Sequence, residues 1–133
     1  MSAHKILVVD DSATARCHFS DLFADHGYQV ITAEDGQEAL RKARDEHPSL
    51  VLLDVVMPGL SGFQVTRTLA RDPSTQNIPV LICTGKSGET DRIWGMRQGA
   101  RDYLIKPVAD QELLARVARL LATTAPEAAG ERT

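Results

Sequence analysis

The chain has 133 residues, of which 43% are hydrophobic and 25% charged, a size and composition typical of one globular domain. Its 15 lysines and arginines against 18 aspartates and glutamates leave a net charge of −3, which disfavours nucleic acid and anionic membranes as partners. The longest apolar runs, Ile6–Val9 and Leu50–Leu53, are too short to cross a bilayer or to form a signal-peptide core. We therefore expect a soluble protein of the cytoplasm without membrane insertion.

The two cysteines, Cys17 and Cys83, lie far apart in the sequence, beside apolar or helix-forming neighbours. Such a spacing indicates neither a disulfide framework nor a CxxC metal site. We expect both side chains to be buried or partly buried thiols.

Short apolar runs alternate with longer segments of helical spacing five times along the chain. In chain order, the pattern predicts strand Lys5–Val9 and helix Ala13–His26, strand Gln29–Ala33 and helix Gln37–Glu46, strand Leu50–Leu53 and helix Phe63–Arg71, strand Val80–Cys83 and helix Glu89–Gln98, and strand Asp102–Ile105 and helix Asp110–Ala122. Runs that are apolar throughout are typical of parallel strands covered by helices on both faces.

This alternation predicts an α/β fold, a doubly wound, flavodoxin-like sheet of five parallel strands in the order 2-1-3-4-5 with five helices. We assign residues 1–123 to this single domain. Residues 124–133 are small or polar without apolar periodicity, and we expect them to form a disordered tail.

Polar side chains follow four of the five predicted strands. Asp10 and Asp11 come directly after the first strand, Asp54 after the third, Thr84 after the fourth and Lys106 after the fifth. Ligands of an open parallel sheet bind at the carboxyl ends of its strands, where the strand order reverses. Carboxylates brought close together repel one another unless a cation compensates them, and hard oxygen ligands favour Mg²⁺. In such a site a carboxylate can attack phosphorus, while the ammonium and the hydroxyl bind phosphoryl oxygens.

Each of these residues also has an ordinary structural interpretation. Asp10 and Asp11 precede a helix and can serve as caps, Asp54 precedes a Pro-Gly turn, Thr84 can close a strand, and Lys106 can be a solvated lysine. The placement of all five at one edge of the predicted sheet is what favours a functional site.

Four sequence motifs resemble the signature of response-regulator receiver domains, the family of the chemotaxis regulator. They are VVDDS, which holds Asp10 and Asp11, LLDVVMPG, which holds Asp54, the single residue Thr84, and the pair Lys106-Pro107. The resemblance extends over about Lys5 to Leu121. It implies that Asp54 is the phosphoacceptor and that a phosphohistidine on a sensor histidine kinase is the donor.

The same resemblance implies further roles for individual residues. Asp10 and Asp11 would hold Mg²⁺ together with Asp54 and the backbone carbonyl of Val56. Thr84 and Tyr103 would form a switch pair that alters the face made by helix 4, strand 5 and helix 5, where a downstream protein would bind. The chain would then be a phosphoacceptor switch that assists its own phosphorylation and dephosphorylation, as a monomer or a phosphorylation-linked dimer, rather than an enzyme acting on other molecules.

A narrower resemblance concerns the stretches that follow Asp54 and Glu89. DVVMPGLSGFQVTR and ETDRIWGMRQGARDYL are similar to the PilH-type single-domain regulators of type IV pilus twitching motility. Within the second stretch, Gly95 indicates either a weakly held helix or tight packing against a neighbour. Trp94 is expected to be a partly buried packing residue, with a partner surface as the alternative.

Two positions depart from the receiver pattern. Val56 is apolar where many receivers carry a polar residue, which would affect the rate of dephosphorylation. Ala109 stands where a capping residue is expected, so that the start of the last helix is expected to fray despite Asp110.

Three other functions are compatible with parts of the sequence. A flavin carrier of the same fold is disfavoured, because the loop after strand 1 is acidic and lacks glycine. The segment 84–87 resembles the end of a phosphate-binding loop, but the glycine that this motif requires is replaced by Val80. A phosphate sink, or an interaction module that does not take phosphate, remains an alternative to an output switch.

Overall fold

The computed structural model describes residues 4–123, and its elements alternate strictly between strand and helix. They are β1 (Lys5–Val9), α1 (Ala13–Asp25), β2 (Gln29–Ala33), α2 (Gly36–Glu46), β3 (Leu50–Leu53), α3 (Gly62–Arg71), β4 (Val80–Thr84), α4 (Glu89–Gln98), β5 (Asp102–Ile105) and α5 (Asp110–Thr123). The five strands form one parallel sheet in the order β2-β1-β3-β4-β5. The predicted α/β class, the flavodoxin-like topology and the number of helices are confirmed.

The core lies on both faces of the sheet. Alternate residues of β1 point to opposite faces, so that Leu7 and Val9 pack with α2, α3 and α4, while Ile6 and Val8 pack with α1 and α5. All residues of β3 and β4 are buried. The central strands are therefore fixed by packing from both sides, which places their carboxyl ends at one well-defined edge.

The observed bounds follow the predicted ones closely. β4 runs one residue further than predicted, to Thr84, because Lys106 N donates a hydrogen bond to the Thr84 carbonyl at 2.8 Å. α1 begins after Ser12, whose hydroxyl accepts a hydrogen bond from Ala15 N. The first turn of α5 closes with a hydrogen bond from Leu113 N to Ala109 O, and Asp110 binds His18 Nε2 of α1 at 2.9 Å. The predicted fraying there stays a prediction.

The two cysteines differ in their environments. Cys83 in β4 is buried, as expected, and burial raises the pKa of its thiol to about 11. The expectation for Cys17 is wrong, because this side chain is exposed. α1 buries Phe19 and Phe23, and Cys17 lies about half a helical turn away from Phe19.

The two ends of the chain complete the description. The predicted tail, residues 124–133, lies outside the described residues, and its disorder and the domain boundary at 123 stay predictions. Within residues 4–123, no helix is both long enough and apolar enough to cross a membrane.

Candidate functional site

Three carboxylates meet at the carboxyl edge of the sheet, where β1 and β3 are neighbours. Asp10 and Asp11 follow β1, Asp54 follows β3, and each offers one oxygen atom that lies within 4.8 Å of the other two. Asp10 is buried and Asp11 is exposed, while the side chain of Asp54 is 12% accessible. The acidic pocket is therefore open to solvent on the side of Asp11, where a ligand or an ion can enter.

Backbone hydrogen bonds hold the acidic loops in place. Ser12 N donates to Asp10 Oδ1 at 3.0 Å, and Val56 N donates to Asp54 Oδ1 at 3.3 Å. Arg16 of α1 donates from Nη1 to the carbonyl oxygen of Asp10 at 2.7 Å. Because these bonds use Oδ1, the second oxygen of Asp10 and of Asp54, Oδ2, is the one that faces the pocket.

Lys106 supplies the positive charge of the pocket. Its Nζ lies 2.8 Å from Asp10 Oδ2 and 3.3 Å from Asp54 Oδ2, and 5.9 Å from the centre of the Phe19 ring. Burial opposes the charged form of this amine, but the hydrogen bond to Asp10 and the negative charges of Asp54 and Asp10 outweigh it. The pKa of Lys106 is therefore raised above its ordinary value of 10.5, and the side chain is an ammonium at neutral pH.

Thr84 and Tyr103 are joined through the backbone of Lys86. Thr84 is fully buried, and its hydroxyl accepts a hydrogen bond from Lys86 N at 3.4 Å. The Tyr103 hydroxyl donates to Lys86 O at 2.8 Å, and the side chain is buried. Burial raises the pKa of Tyr103, and the negative charges of Asp91 and Asp54 add to that effect. Both residues of the predicted switch pair thus form a hydrogen bond to the same loop, which lies between β4 and α4.

Two glycines, Gly62 in α3 and Gly95 in α4, allow these helices to lie close to the site. The sequence analysis did not single out Gly62. A Cβ atom at Gly62 would lie 2.7 Å from Val55 Cα and closer still to the carbonyl oxygen of Asp54. A Cβ atom at Gly95 would lie 3.0 Å from Ile82 Cδ1 and 3.1 Å from the ring of Tyr103. Of the two interpretations of Gly95, the structure supports tight packing.

The predicted site residues are all brought together by the strands of the sheet, whereas two apolar side chains, one in the loop after β3 and one on α4, are exposed. Val56 is 59% exposed beside Asp54, and Trp94 is 47% exposed on α4. The expectation that Trp94 is a packing residue is therefore wrong, because Gly95 and not Trp94 faces the strands. Arg16, which binds the backbone of Asp10 six residues earlier, was also missed, because a side-chain hydrogen bond to a backbone carbonyl has no sequence pattern.

Comparisons with known proteins agree with this geometry. Residues 6–118 match the model of the response regulator receiver domain. Protein PilH of Pseudomonas aeruginosa is 51% identical over 118 residues, which cover 89% of this chain and 98% of PilH. The response regulator PleD of Caulobacter vibrioides is 49% identical over 121 residues, but these represent only 26% of PleD.

A solved structure gives the same result for the fold. The chemotaxis protein CheY4 of Vibrio cholerae superimposes with a TM-score of 0.85 at 33% identity, over 90% of this chain and 99% of CheY4. The likeness to PilH confirms the narrower resemblance to PilH-type single-domain regulators. The chain belongs to the family of response regulator receiver domains of two-component systems.

Proposed function

We propose that Asp54 accepts a phosphoryl group from the phosphohistidine of a sensor histidine kinase, in a reaction that requires Mg²⁺. The observation that carries this proposal is the position of the Asp54 carboxylate, which lies within 4.8 Å of two further carboxylates and 3.3 Å from the Lys106 ammonium. A carboxylate surrounded in this way is a nucleophile whose neighbours can hold a cation and bind the incoming oxygens.

The donor set of the pocket fits a hard divalent cation. Its ligand atoms are carboxylate oxygens, and a single lysine does not neutralise three carboxylates. Asp10, Asp11, Asp54 and the backbone carbonyl of Val56 would hold Mg²⁺. When bound, the ion supplies charge stabilisation for the phosphoryl oxygens.

Asp54, Val56 and Lys106 have different roles in the transfer of the phosphoryl group. Asp54 Oδ1 is held by the N–H of Val56, which orients the carboxylate, while Oδ2 is the oxygen that faces Lys106. Attack by an Asp54 oxygen on phosphorus forms an acyl phosphate, and the bond from phosphorus to the donor nitrogen breaks. Lys106 is then positioned to exchange its contact with Asp54 Oδ2 for a phosphoryl oxygen.

The response of the chain to phosphorylation starts at Thr84. Its hydroxyl accepts a long hydrogen bond, 3.4 Å, from the N–H of Lys86, and as a donor it can turn its own proton toward a phosphoryl oxygen. The loop at Lys86 also holds the Tyr103 hydroxyl, so that a shift of the loop reaches the face formed by α4, β5 and α5. We propose that this face controls a downstream protein, as a switch rather than as an enzyme acting on other molecules.

The likeness to PilH supports a cytoplasmic role in a chemotaxis-like motility pathway, with type IV pilus twitching as the favoured case. The partner kinase, the downstream protein and a phosphorylation-linked dimer belong to the same proposal. In this proposal, phosphorylation of Asp54 and the change of the face formed by α4, β5 and α5 depend on each other.

Intact-mass spectrometry after incubation with acetyl phosphate and Mg²⁺ tests the chemistry. We expect one phosphoryl adduct on the wild-type chain, and none after chelation of the metal or in the Asp54→Asn variant. Asp72→Asn, which alters a half-buried carboxylate outside the pocket, is the matched control and should label as the wild type does. An adduct that persists in Asp54→Asn, or that forms equally without metal, would contradict the proposal.

A further inference from the structure

Asp10 is a buried residue whose polar groups all have partners. Its N–H donates to the carbonyl oxygen of Ala33 at 3.2 Å, its Oδ1 accepts from Ser12 N at 3.0 Å, and its Oδ2 accepts from Lys106 Nζ at 2.8 Å. Its carbonyl oxygen accepts from Arg16 Nη1 at 2.7 Å, the shortest of the four distances. Among the described residues, Arg16 is thus the one whose side chain binds the backbone of Asp10.

The neighbouring carboxylate, that of Asp11, is held in a different way. Asp11 is exposed, and its side chain has no hydrogen bond or ion pair with any other residue of the segment 4–123. One of its oxygens nevertheless lies within 4.8 Å of oxygens of Asp10 and Asp54. The place of the Asp11 carboxylate in the pocket therefore depends on the backbone that carries it.

The carbonyl that Arg16 binds belongs to this backbone. It is part of the peptide unit between Asp10 and Asp11, whose planar atoms include the Cα atom of Asp11. A hydrogen bond to the oxygen restricts rotation of the whole plane, and so restricts where the Asp11 side chain starts. The donor itself has little freedom, because the Arg16 side chain is only 17% exposed and its guanidinium is planar.

The ordinary reasons for an arginine at this position are weak. Arg16 is the fourth residue of α1, near the end of the helix where the dipole disfavours a cation. Among the described residues, the only carboxylate within 4.0 Å of its guanidinium is that of Glu34, at 4.0 Å, on a side chain that is 73% exposed. An exposed pair at this distance contributes little to stability. The hydrogen bond to the Asp10 carbonyl is the contact that explains the position of Arg16.

Arg16 and Lys106 treat the acidic pocket differently. Lys106 Nζ lies within 3.3 Å of carboxylate oxygens of Asp10 and Asp54, whereas the Arg16 guanidinium has no carboxylate of the pocket within 4.0 Å. Arg16 therefore occupies none of the oxygens that a cation needs. Its charge alone would repel a cation in the pocket, while its hydrogen bond would favour one by fixing the ligands. The two effects have opposite signs, which makes them separable by experiment.

We propose that Arg16 is a positioning residue for the divalent cation, because its hydrogen bond to the Asp10 carbonyl fixes the peptide that carries the Asp11 carboxylate. This inference rests on the proposed function and deepens it, since it assigns part of the Mg²⁺ affinity to a residue outside the pocket. Residues that orient metal ligands without touching the metal typically affect its affinity strongly.

Arg16→Met is the test variant, because methionine keeps an unbranched side chain and has neither the donor nor the charge. We would titrate it and the wild type with Mg²⁺ by calorimetry, and with Mn²⁺ by following the EPR signal of the free ion. We expect the Kd of both ions to rise about tenfold in the variant. An unchanged or lower Kd would overturn the proposal, since the charge effect alone would then account for Arg16.

Three further variants separate positioning from a general effect on the fold or the charge. Arg16→Lys restores a single donor, which is all that the contact from Nη1 requires, and should recover most of the affinity. Arg41→Met on α2 removes the same charge from an exposed side chain, and Glu34→Gln removes the ion pair of Arg16. Both should bind the ions as the wild type does, and circular dichroism checks that all variants fold. Equally weak binding by Arg16→Lys and Arg16→Met would overturn the proposal.

Phosphorylation by acetyl phosphate supplies the last distinction. At Mg²⁺ concentrations well above its Kd, Arg16→Met should form the phosphoryl adduct at the wild-type rate, because Arg16 does not touch the reacting carboxylate. A rate that stays low at saturating Mg²⁺ would overturn the positioning role. A wild-type chain that binds neither ion would contradict the proposed function and this inference with it. Equal binding by the wild type and Arg16→Met would contradict this inference alone.

Discussion

Helices α3 and α4 are neighbours of equal length, ten residues each, on the same face of the sheet, yet they are anchored in different ways. α3 begins with a capping box, in which Ser61 and Gln64 each bind the backbone of the other, and it buries Val65, Thr66 and Leu69. α4 is preceded by Gly88, which offers no side-chain cap, and its only buried residue is Gly95. α3 is therefore the better fixed of the two helices.

The difference matches what each helix contacts. α3 starts against the backbone of Asp54 through Gly62, so its rigidity fixes the position of the carboxylate. α4 rests on the ring of Tyr103 through Gly95, and Tyr103 binds the loop that also holds Thr84. An element that must move in a signalling protein is drawn from the less stable part of its structure. Local sequence therefore stabilises the start of α3, next to Asp54, more strongly than it stabilises α4, next to Tyr103.

The largest expected effect comes from a methyl group at Gly62, and the same change at Gly95 is the comparison for it. Gly62→Ala should lower the free energy of unfolding by about 2 to 3 kcal/mol, because its Cβ meets backbone atoms that cannot yield. Gly95→Ala should change it by less than about 1 kcal/mol, because the gain in helix propensity offsets contacts with side chains that can move. Urea unfolding followed by circular dichroism measures both changes.

Gly85→Ala is the control for both glycine variants, since a Cβ atom at Gly85 would meet no atom within 4 Å. It should leave stability unchanged or slightly raised. An equal loss of stability in the variants at positions 62 and 95 would show that α3 and α4 are fixed equally well, and would contradict the difference described above.

The caps of the two helices offer a second, smaller test. Ser61→Ala removes the hydroxyl that accepts from Gln64 N, and should lower the free energy of unfolding by about 1 kcal/mol. Gly88→Ser adds a capping hydroxyl to α4 and should raise it by a few tenths of a kcal/mol. Hydrogen exchange would locate each change, which should be confined to the helix concerned. Slower exchange in α3 after Gly88→Ser would count against this assignment.

The smallest effect is expected at alkaline pH, through Tyr103. Because the folded protein raises the pKa of this phenol above its ordinary value of 10.0, the unfolded chain loses the proton first. The contribution of Tyr103 to stability is therefore complete below pH 10 and is lost as the pH rises through the folded pKa. Trp94 emission should change in that range in the wild type.

Tyr103→Phe is the matched variant for this titration, since it keeps the ring against Gly95 and removes the ionisable hydroxyl. Its Trp94 emission should stay constant over the same pH range. If the alkaline change is as large in Tyr103→Phe as in the wild type, it arises elsewhere, and α4 does not depend on the neutral phenol.

The sequence was sufficient for the fold because its strong signals are local. Apolar runs and helical spacing recur in order, and the rule for parallel sheets then places Asp10, Asp54 and Lys106 at one edge. The convergence of these residues was predicted from that placement, whereas the ion pairs of Lys106 with Asp10 and Asp54 were not.

What the sequence did not reveal depends on contacts to the backbone of the loops that follow β1 and β3. The approach of Gly62 to Asp54 and the hydrogen bond from Arg16 to the Asp10 carbonyl have no signature in residue type. Cys17 and Trp94 were misplaced for another reason. On each helix a neighbouring residue, Phe19 or Gly95, faces the sheet, and a short helix with few apolar residues leaves this orientation ambiguous.

The contact at Gly62 has a mechanical consequence. Because Gly62 has no side chain, the first turn of α3 lies in direct contact with the backbone of Asp54 and Val55. A displacement of α3 along its own axis, for example by a protein that contacts Arg71 at the other end of the helix, would therefore displace the backbone of Asp54 as well.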